Sequence, residues 1–394
     1  MNRLKIAVLA WESAHSIMVG GLGVVVSRHA EALAKLGHEV HLFTRWAEGQ
    51  SDSEFINGHY YHRCKFDPGQ NILALTYNMS KSFVTRLHEV ERTYGRLDIV
   101  HGHDWHVVDA LHDLRNEGRV SVLTFHSTEY GRNGGKFGGW WEFREVSGKE
   151  WYGGYIANRI FTVSNAMKNE LNWLYKIPFD KIDVIQNAVD YEKFQIMVDP
   201  GRIKEKYGVH PLAPTVLFLG RIVDQKGPDL LIEAIPKILS NRWDAKFIFV
   251  GEGGMKQYLQ NRVTGLGVEG STRFTGWLPL QPLVELLNSV DIVCIPSRNE
   301  PFGVVLLEAW ATGRPVVATD VGGLGENIEN FVDGVEVYPN PDSMAWGINY
   351  LLNNPDAMKR ISENCIKKVK KFMWEDVAEQ LVKTYKLALD YKNI

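Results

Sequence analysis

The chain has 394 residues, roughly two and a half times the ~150-residue scale of one domain, so two cores are expected. Its 44 Lys and Arg against 47 Asp and Glu leave a net charge of −3, which excludes the basic field that nucleic acid or anionic lipid requires. With 45% hydrophobic and 23% charged residues, disordered, collagenous and disulfide-scaffold classes are excluded as well.

The opening run from Ile6 to Trp11 is too short for the hydrophobic region of a signal peptide and meets Glu12 at once, so Lys5–Leu9 reads as a first strand. Further strands are predicted at Glu39–Phe43, Asp98–His101, Ser121–Phe125, Arg159–Val163 and Val184–Gln186. A second series follows at Thr215–Leu219, Lys246–Val250, Ile292–Ile295, Pro315–Ala318 and Val335–Tyr338. Amphipathic stretches alternate with these runs, the pattern of βα units on parallel sheets with helices on both faces. The predicted organisation is an N-terminal doubly wound domain over 1–192, a second over 193–372 with a linker near 190–212, and a terminal helix over 373–394. Periodicity across Asn364–Tyr391 gives one or two helices, and the Lys367, Lys368, Lys370, Lys371 cluster reads as a solvated face. No stretch approaches the ~18–20 apolar residues of a membrane span, and no peripheral membrane contact is indicated. Cys64, Cys294 and Cys365 are widely spaced and form no zinc frame, which fits a reducing, cytoplasmic setting. The oligomeric state is not set by these features.

Between the first strand and the helix at Val26–Leu36 stand Gly20, Gly21 and Gly23. Glycines at a helix N-terminus suit either a phosphate loop or a tight turn, and Val26 in place of the third glycine excludes the dinucleotide fingerprint. His101-Gly102-His103-Asp104-Trp105-His106 is expected on a turn at the carboxyl edge of the sheet, where open α/β folds bind ligands. Its spacing is not a metal frame. Trp105 suits stacking on a sugar ring, and Asp104 suits accepting hydroxyl hydrogen bonds. His126 follows the strand Ser121–Phe125 on the same edge. In the second half, Arg221 and Lys226 precede Gly227 and a helix, a fork and a point charge suited to a diphosphate. Ser297 to Gly303 then lead into a helix bearing Glu308, with seven residues between Glu300 and Glu308. Gly303 and Val304 at that helix start offer free N–H donors.

These residues resemble the retaining nucleotide-sugar-dependent glycosyltransferases of family 4, close to the glycogen and starch synthases of family 5. The resemblance spans essentially the whole chain and rests chiefly on the E-x7-E motif Glu300 to Glu308 and on GRIVDQKG at 220–227. It implies the GT-B fold, an α/β architecture of two Rossmann-like domains facing across a cleft. It implies that Arg221 and Lys226 hold the diphosphate, Glu308 the ribose, and Glu300 the donor sugar. Gly21, Gly303 and Val304 would present amides, with Phe302 beside them. His126 would contact the sugar near the reacting carbon, and Asn187 would face the cleft. Gly251, Trp277 and Leu278 would lie on loops around the base. Asp104 and Trp105 resemble the acceptor side of the α-glucan synthase branch. The activity implied is retaining transfer of glucose from UDP- or ADP-glucose to an α-glucan or small glucoside, with no metal or other cofactor. Met18 stands where family 5 carries a lysine, which favours family 4 and weakens a specific claim for ADP-glucose. Transfer to another acceptor, a lipid, sugar phosphate or cell-surface polysaccharide, is an alternative, as is a GT-B sugar-nucleotide epimerase.

Overall fold

The computed structural model describes residues 3–390, arranged as two compact α/β units. Residues 3–130, 137–187 and 374–390 form the first unit, and residues 131–136 and 188–373 the second. The chain therefore passes between units at Asn187 and Ala188, just ahead of the expected linker, which itself holds the short helix Pro200–Lys206.

The first unit is built on β1 (Lys5–Leu9), β2 (Glu39–Arg45), β3 (Ser53–Ile56), β4 (His59–Cys64), β5 (Ile99–His103), β6 (Ser121–Phe125), β7 (Arg159–Thr162) and β8 (Ile182–Val184). They lie in the order β3-β4-β2-β1-β5-β6-β7-β8, and every pairing is parallel except that of β3 with β4. Ile6, Val8, Val100, Val122, Leu123 and Ile160 are sealed because helices cover both faces; each such side chain contributes about 1.5–3 kcal/mol on burial. The first helix, α1 (Gly21–Lys35), turns Val25, Val26, Ala30 and Leu33 inward and ends at Gly37, whose φ of +90° suits glycine.

The β3–β4 hairpin was not anticipated. Asn57 and Gly58 form its two-residue turn with φ of +51° and +87°, a combination that matches the right-handed twist of the flanking strands. Its strands are rich in His, Tyr and Arg, so hydrophobic alternation did not mark them. Two further differences concern the site. The strand expected to end at His101 continues to His103, so both histidines are buried strand residues and not turn residues. The strand Thr272–Gly276, which the sequence did not mark, forms the edge of the second sheet just ahead of Trp277.

That sheet contains β9 (Thr215–Leu219), β10 (Lys246–Val250), β11 (Thr272–Gly276), β12 (Ile292–Ile295), β13 (Val316–Thr319) and β14 (Val335–Val337). Its order is β11-β10-β9-β12-β13-β14, parallel throughout. The helices used below are α2 (Pro228–Leu239), α3 (Val304–Ala311), α4 (Pro355–Val369) and α5 (Trp374–Asp390). The terminal segment is thus two helices, and α5 packs on α1 within the first unit; Tyr391 lies outside the described residues. No helix among the described residues is long and apolar enough to cross a membrane.

Candidate functional site

In the second sheet the order reverses between the adjacent strands β9 and β12, and connections leave their carboxyl ends in opposite directions, opening a crevice there. Arg221 and Lys226 follow β9, while Glu300 and Gly303 follow β12. Lys226 Nζ lies 2.7 Å from Glu300 Oε2, and Ser297 Oγ donates to the same oxygen at 3.0 Å. Glu300 is almost fully buried, and its carbonyl accepts Gly323 N–H at 2.8 Å, so both backbone and carboxylate are pinned. Arg221 is exposed, and its Nη2 donates to the buried Gln225 at 2.9 Å.

Two glycines make this crevice possible. Gly227 holds φ +62° before α2, and a methyl group on it would overlap the Pro296 carbonyl. Gly251 holds φ +134°, and a Cβ there would overlap the Gly220 carbonyl oxygen. Gly303 caps α3, leaving the N–H groups of Val304 and its successor at the mouth of the crevice. Glu308 lies in the second turn of α3, partly accessible, and desolvation pushes its carboxyl up to about 7. Phe302 is a correction: it is 2% exposed with its ring against Phe372, so its side chain supports α3 and offers no face to a ligand. Trp277, 62% exposed, and the half-buried Leu278 directly follow β11.

In the first sheet the order reverses between β1 and β5. Around this second edge stand the end of β1, the start of α1, Asp104 and His126. Asp104 adopts φ +58°, a strained conformation for a residue with a Cβ, and its Oδ1 accepts the His126 backbone N–H at 2.8 Å. It is 5% exposed, so its carboxylate ties β5 to β6 more than it faces outward. Trp105 is likewise corrected: it is 5% exposed and stacked on His106 at 4.3 Å, so its ring is not presented to a sugar. Asn187 is buried with its Oδ1 unpartnered. Gly21 opens α1 at the surface, with open space where a Cβ would stand.

The sequence did not mark Glu12, which shapes the turn ahead of α1. Its Oε2 accepts the N–H groups of Val19 and of Gly20, the latter at 2.8 Å, and so takes two of the amides that a phosphate would use. Its carboxylate thereby fixes the shape of the glycine turn ahead of α1. The only signal was its place shortly after β1, next to Trp11.

Behind His126 lies a core of histidines. His103 Nδ1 is 2.9 Å from His126 Nε2, His101 Nδ1 is 2.7 Å from Tyr385 Oη, and His29 packs against His103 and Trp374. Burial holds His29 and His126 down at about 3, and His101 and His103 well below the usual histidine range. These rings are therefore neutral. Among the described residues no group of three or more His, Cys, Asp or Glu side chains is arranged to hold a metal ion.

Residues 200–368 match the family model for glycosyl transferases group 1, and residues 19–193 that for glycosyltransferase family 4. The chain is 36% identical to an uncharacterized glycosyltransferase of Methanocaldococcus jannaschii over 98% of this chain and 99% of the relative. It is 29% identical to a glycogen synthase of Mycobacterium tuberculosis over 97% of this chain and 94% of the relative. Sucrose-phosphate synthase from Thermosynechococcus elongatus has a TM-score of 0.83 at 22% identity, covering 99% of this chain and 100% of that one. Anabaena HepE in complex with UDP-glucose has a TM-score of 0.79 at 18% identity, covering 98% and 100%. With two parallel α/β units of the GT-B fold, paired family matches and a relative this similar over nearly its entire length, the chain belongs to the family 4 glycosyltransferases.

Proposed function

We propose that this glycosyltransferase transfers glucose, with retention, from UDP- or ADP-glucose to an α-glucan or small glucoside, without a metal ion. The Lys226–Glu300 pair carries the reading. A cation and a carboxylate are held at bonding distance at the edge where α/β sheets take ligands, beside the N-terminus of α3. The glycogen synthase relative supports the choice of glucose and a glucan.

In this reading Arg221, Lys226 and the α3 amides receive the diphosphate. As the anomeric C–O bond breaks, negative charge grows on the leaving phosphate, and cations already in place stabilise it without reorganising. Glu300 orients the sugar and fixes the ammonium. Glu308 accepts hydrogen bonds from the ribose hydroxyls. The acceptor oxygen attacks from the face the diphosphate leaves, and a β-phosphate oxygen takes its proton, so the configuration is kept and no protein carboxylate is alkylated. His126 contacts the sugar near the reacting carbon. The three buried free cysteines accord with a cytoplasmic setting.

Met18, exposed where the family 5 synthases carry lysine, favours a second reading in which the acceptor is a lipid, sugar phosphate or cell-surface polysaccharide. The test is a screen of UDP-, ADP- and GDP-sugars against glycogen, maltooligosaccharides and simple glucosides, with product anomers resolved by NMR, with and without EDTA. An α-glucoside formed equally in EDTA is expected. Transfer only to a non-glucan acceptor would establish the second reading, and a strict Mg²⁺ requirement would overturn metal-independent departure.

A further inference from the structure

The hydrogen bond between His103 and His126 joins two neutral rings, so one must donate and the other accept. The two directions are not equivalent. His103 Nε2 is sealed from solvent and has no hydrogen-bond partner. Were His126 the donor from Nε2, His103 would carry its proton on that sealed Nε2, and a buried N–H would be left without an acceptor. Were His103 the donor from Nδ1, its Nε2 would be a bare lone pair. Orphaned buried donors are the rarer and costlier of the two. Nothing around His103 reverses this choice. His101 uses both ring nitrogens, on Tyr385 Oη and Thr124 Oγ1, and His29 approaches His103 only as a tilted ring at 5.7 Å.

We propose that His103 is a positioning residue that donates from Nδ1 to His126 Nε2 and thereby holds the His126 proton on Nδ1. That nitrogen makes no hydrogen bond with a described residue and is not among the sealed unpartnered atoms. It is the one available to a ligand. His126 therefore presents a neutral N–H donor, suited to a sugar hydroxyl or ring oxygen and unsuited to taking a proton. Asp104 fixes the backbone of the same residue through its 2.8 Å bond to the His126 amide, so ring and main chain are held from β5 together. The catalytic consequence rests on the reading of His126 as a sugar contact; the tautomer does not.

Two measurements separate these. Histidine ¹⁵N NMR of the full chain, with His126 assigned by its loss in His126→Gln, is expected to show the proton on Nδ1. Finding it on Nε2 overturns the proposal. His103→Asn places an amide N–H where Nδ1 stood and is expected to keep the Nδ1–H form of His126. His103→Leu removes the donor and is expected to yield a mixture of tautomers. In transfer assays, kcat/KM should fall about 10-fold in His103→Leu and recover in His103→Asn, the size of one neutral hydrogen bond. If the tautomer changes as stated while both variants transfer at the wild-type rate, the positioning role of His103 survives in the ring alone and the sugar contact of His126 is what fails. An unchanged Nδ1–H form in His103→Leu also overturns the proposal.

Discussion

The hydroxyl of Tyr385 lies 2.7 Å from Nδ1 of His101, joining residues 284 positions apart in the buried centre of the first unit. Both partners are fully enclosed, and burial pushes the phenol well above its usual range while keeping the imidazole neutral. The pair clamps α5 to β5. Tyr385→Phe removes one partner and leaves His101 Nδ1 without its bond, at a cost of about 1–3 kcal/mol. Urea unfolding monitored by circular dichroism should register this as a lower midpoint with an unchanged slope. A midpoint equal to wild type would show that the bond contributes nothing net.

Lys226 and Glu300 are more tightly interdependent than two separate site residues. Lys226→Ala leaves an almost buried carboxylate facing only Ser297, whereas Glu300→Gln keeps a hydrogen-bonding group in place. Transfer should drop by about 10²-fold or more in Lys226→Ala, the scale seen when one preorganised stabiliser of transition-state charge is removed. Glu300→Gln should lose activity while its thermal midpoint stays near wild type. Robust turnover in Lys226→Ala would remove the leaving-group role.

Glu308 supplies a pH signature. Its carboxyl is raised to about 7 by desolvation, so it holds a proton below that pH and accepts hydrogen bonds as a carboxylate above it. Nucleotide-sugar affinity should therefore weaken as pH falls through 7, and Glu308→Gln should flatten the profile at the weak limit. Isothermal titration from pH 6 to pH 8 checks this, and a wild-type profile without slope would count against the ribose contact.

The buried histidines make acid stability predictable in sign. His29 titrates at 6.5 when unfolded but at about 3 when folded, and His101 and His103 are lowered in the same direction. Below 6.5 the unfolded chain binds protons that the folded chain refuses, so stability is complete above that pH and is lost as pH falls toward 3. Each such histidine contributes a slope of up to about 1.4 kcal/mol per pH unit. Denaturant midpoints measured from pH 7.5 to pH 4.5 should fall steadily, and His29→Phe should reduce the slope.

Gly251 tests the crevice itself. Any Cβ at this φ of +134° would run into the Gly220 carbonyl, so Gly251→Ala must move the β9 loop that carries Arg221. A stability loss of about 1–3 kcal/mol is expected, together with weaker nucleotide binding in a chain that still folds. An alanine variant with wild-type affinity would mean that the loop yields without disturbing Arg221.

Most strands of both sheets were legible because an unbroken apolar run bounded by turn residues has few other uses in a chain of this size. The hairpin of β3 and β4 escaped because His59, His62 and Arg63 are polar in sequence and become buried only by pairing with β2 and with one another's partners. In the candidate site, the glycines at 227 and 303 could be read from the demands of local backbone geometry, and the two acids from their resemblance to the E-x7-E motif.

What the sequence alone determined is thus the series of βα units, the glycine turns at their carboxyl ends and the charged groups placed there. Backbone chirality and the period of apolar residues act over a few neighbours, and they leave a mark that needs no fold to be seen. Only the tertiary structure decided that Trp105 and Phe302 face inward, that Glu12 takes the amides of the first turn, and that His103 stands against His126. Each of those outcomes depends on which distant surface covers a side chain or reaches its polar atoms, and burial against a distant partner has no local periodicity to announce it.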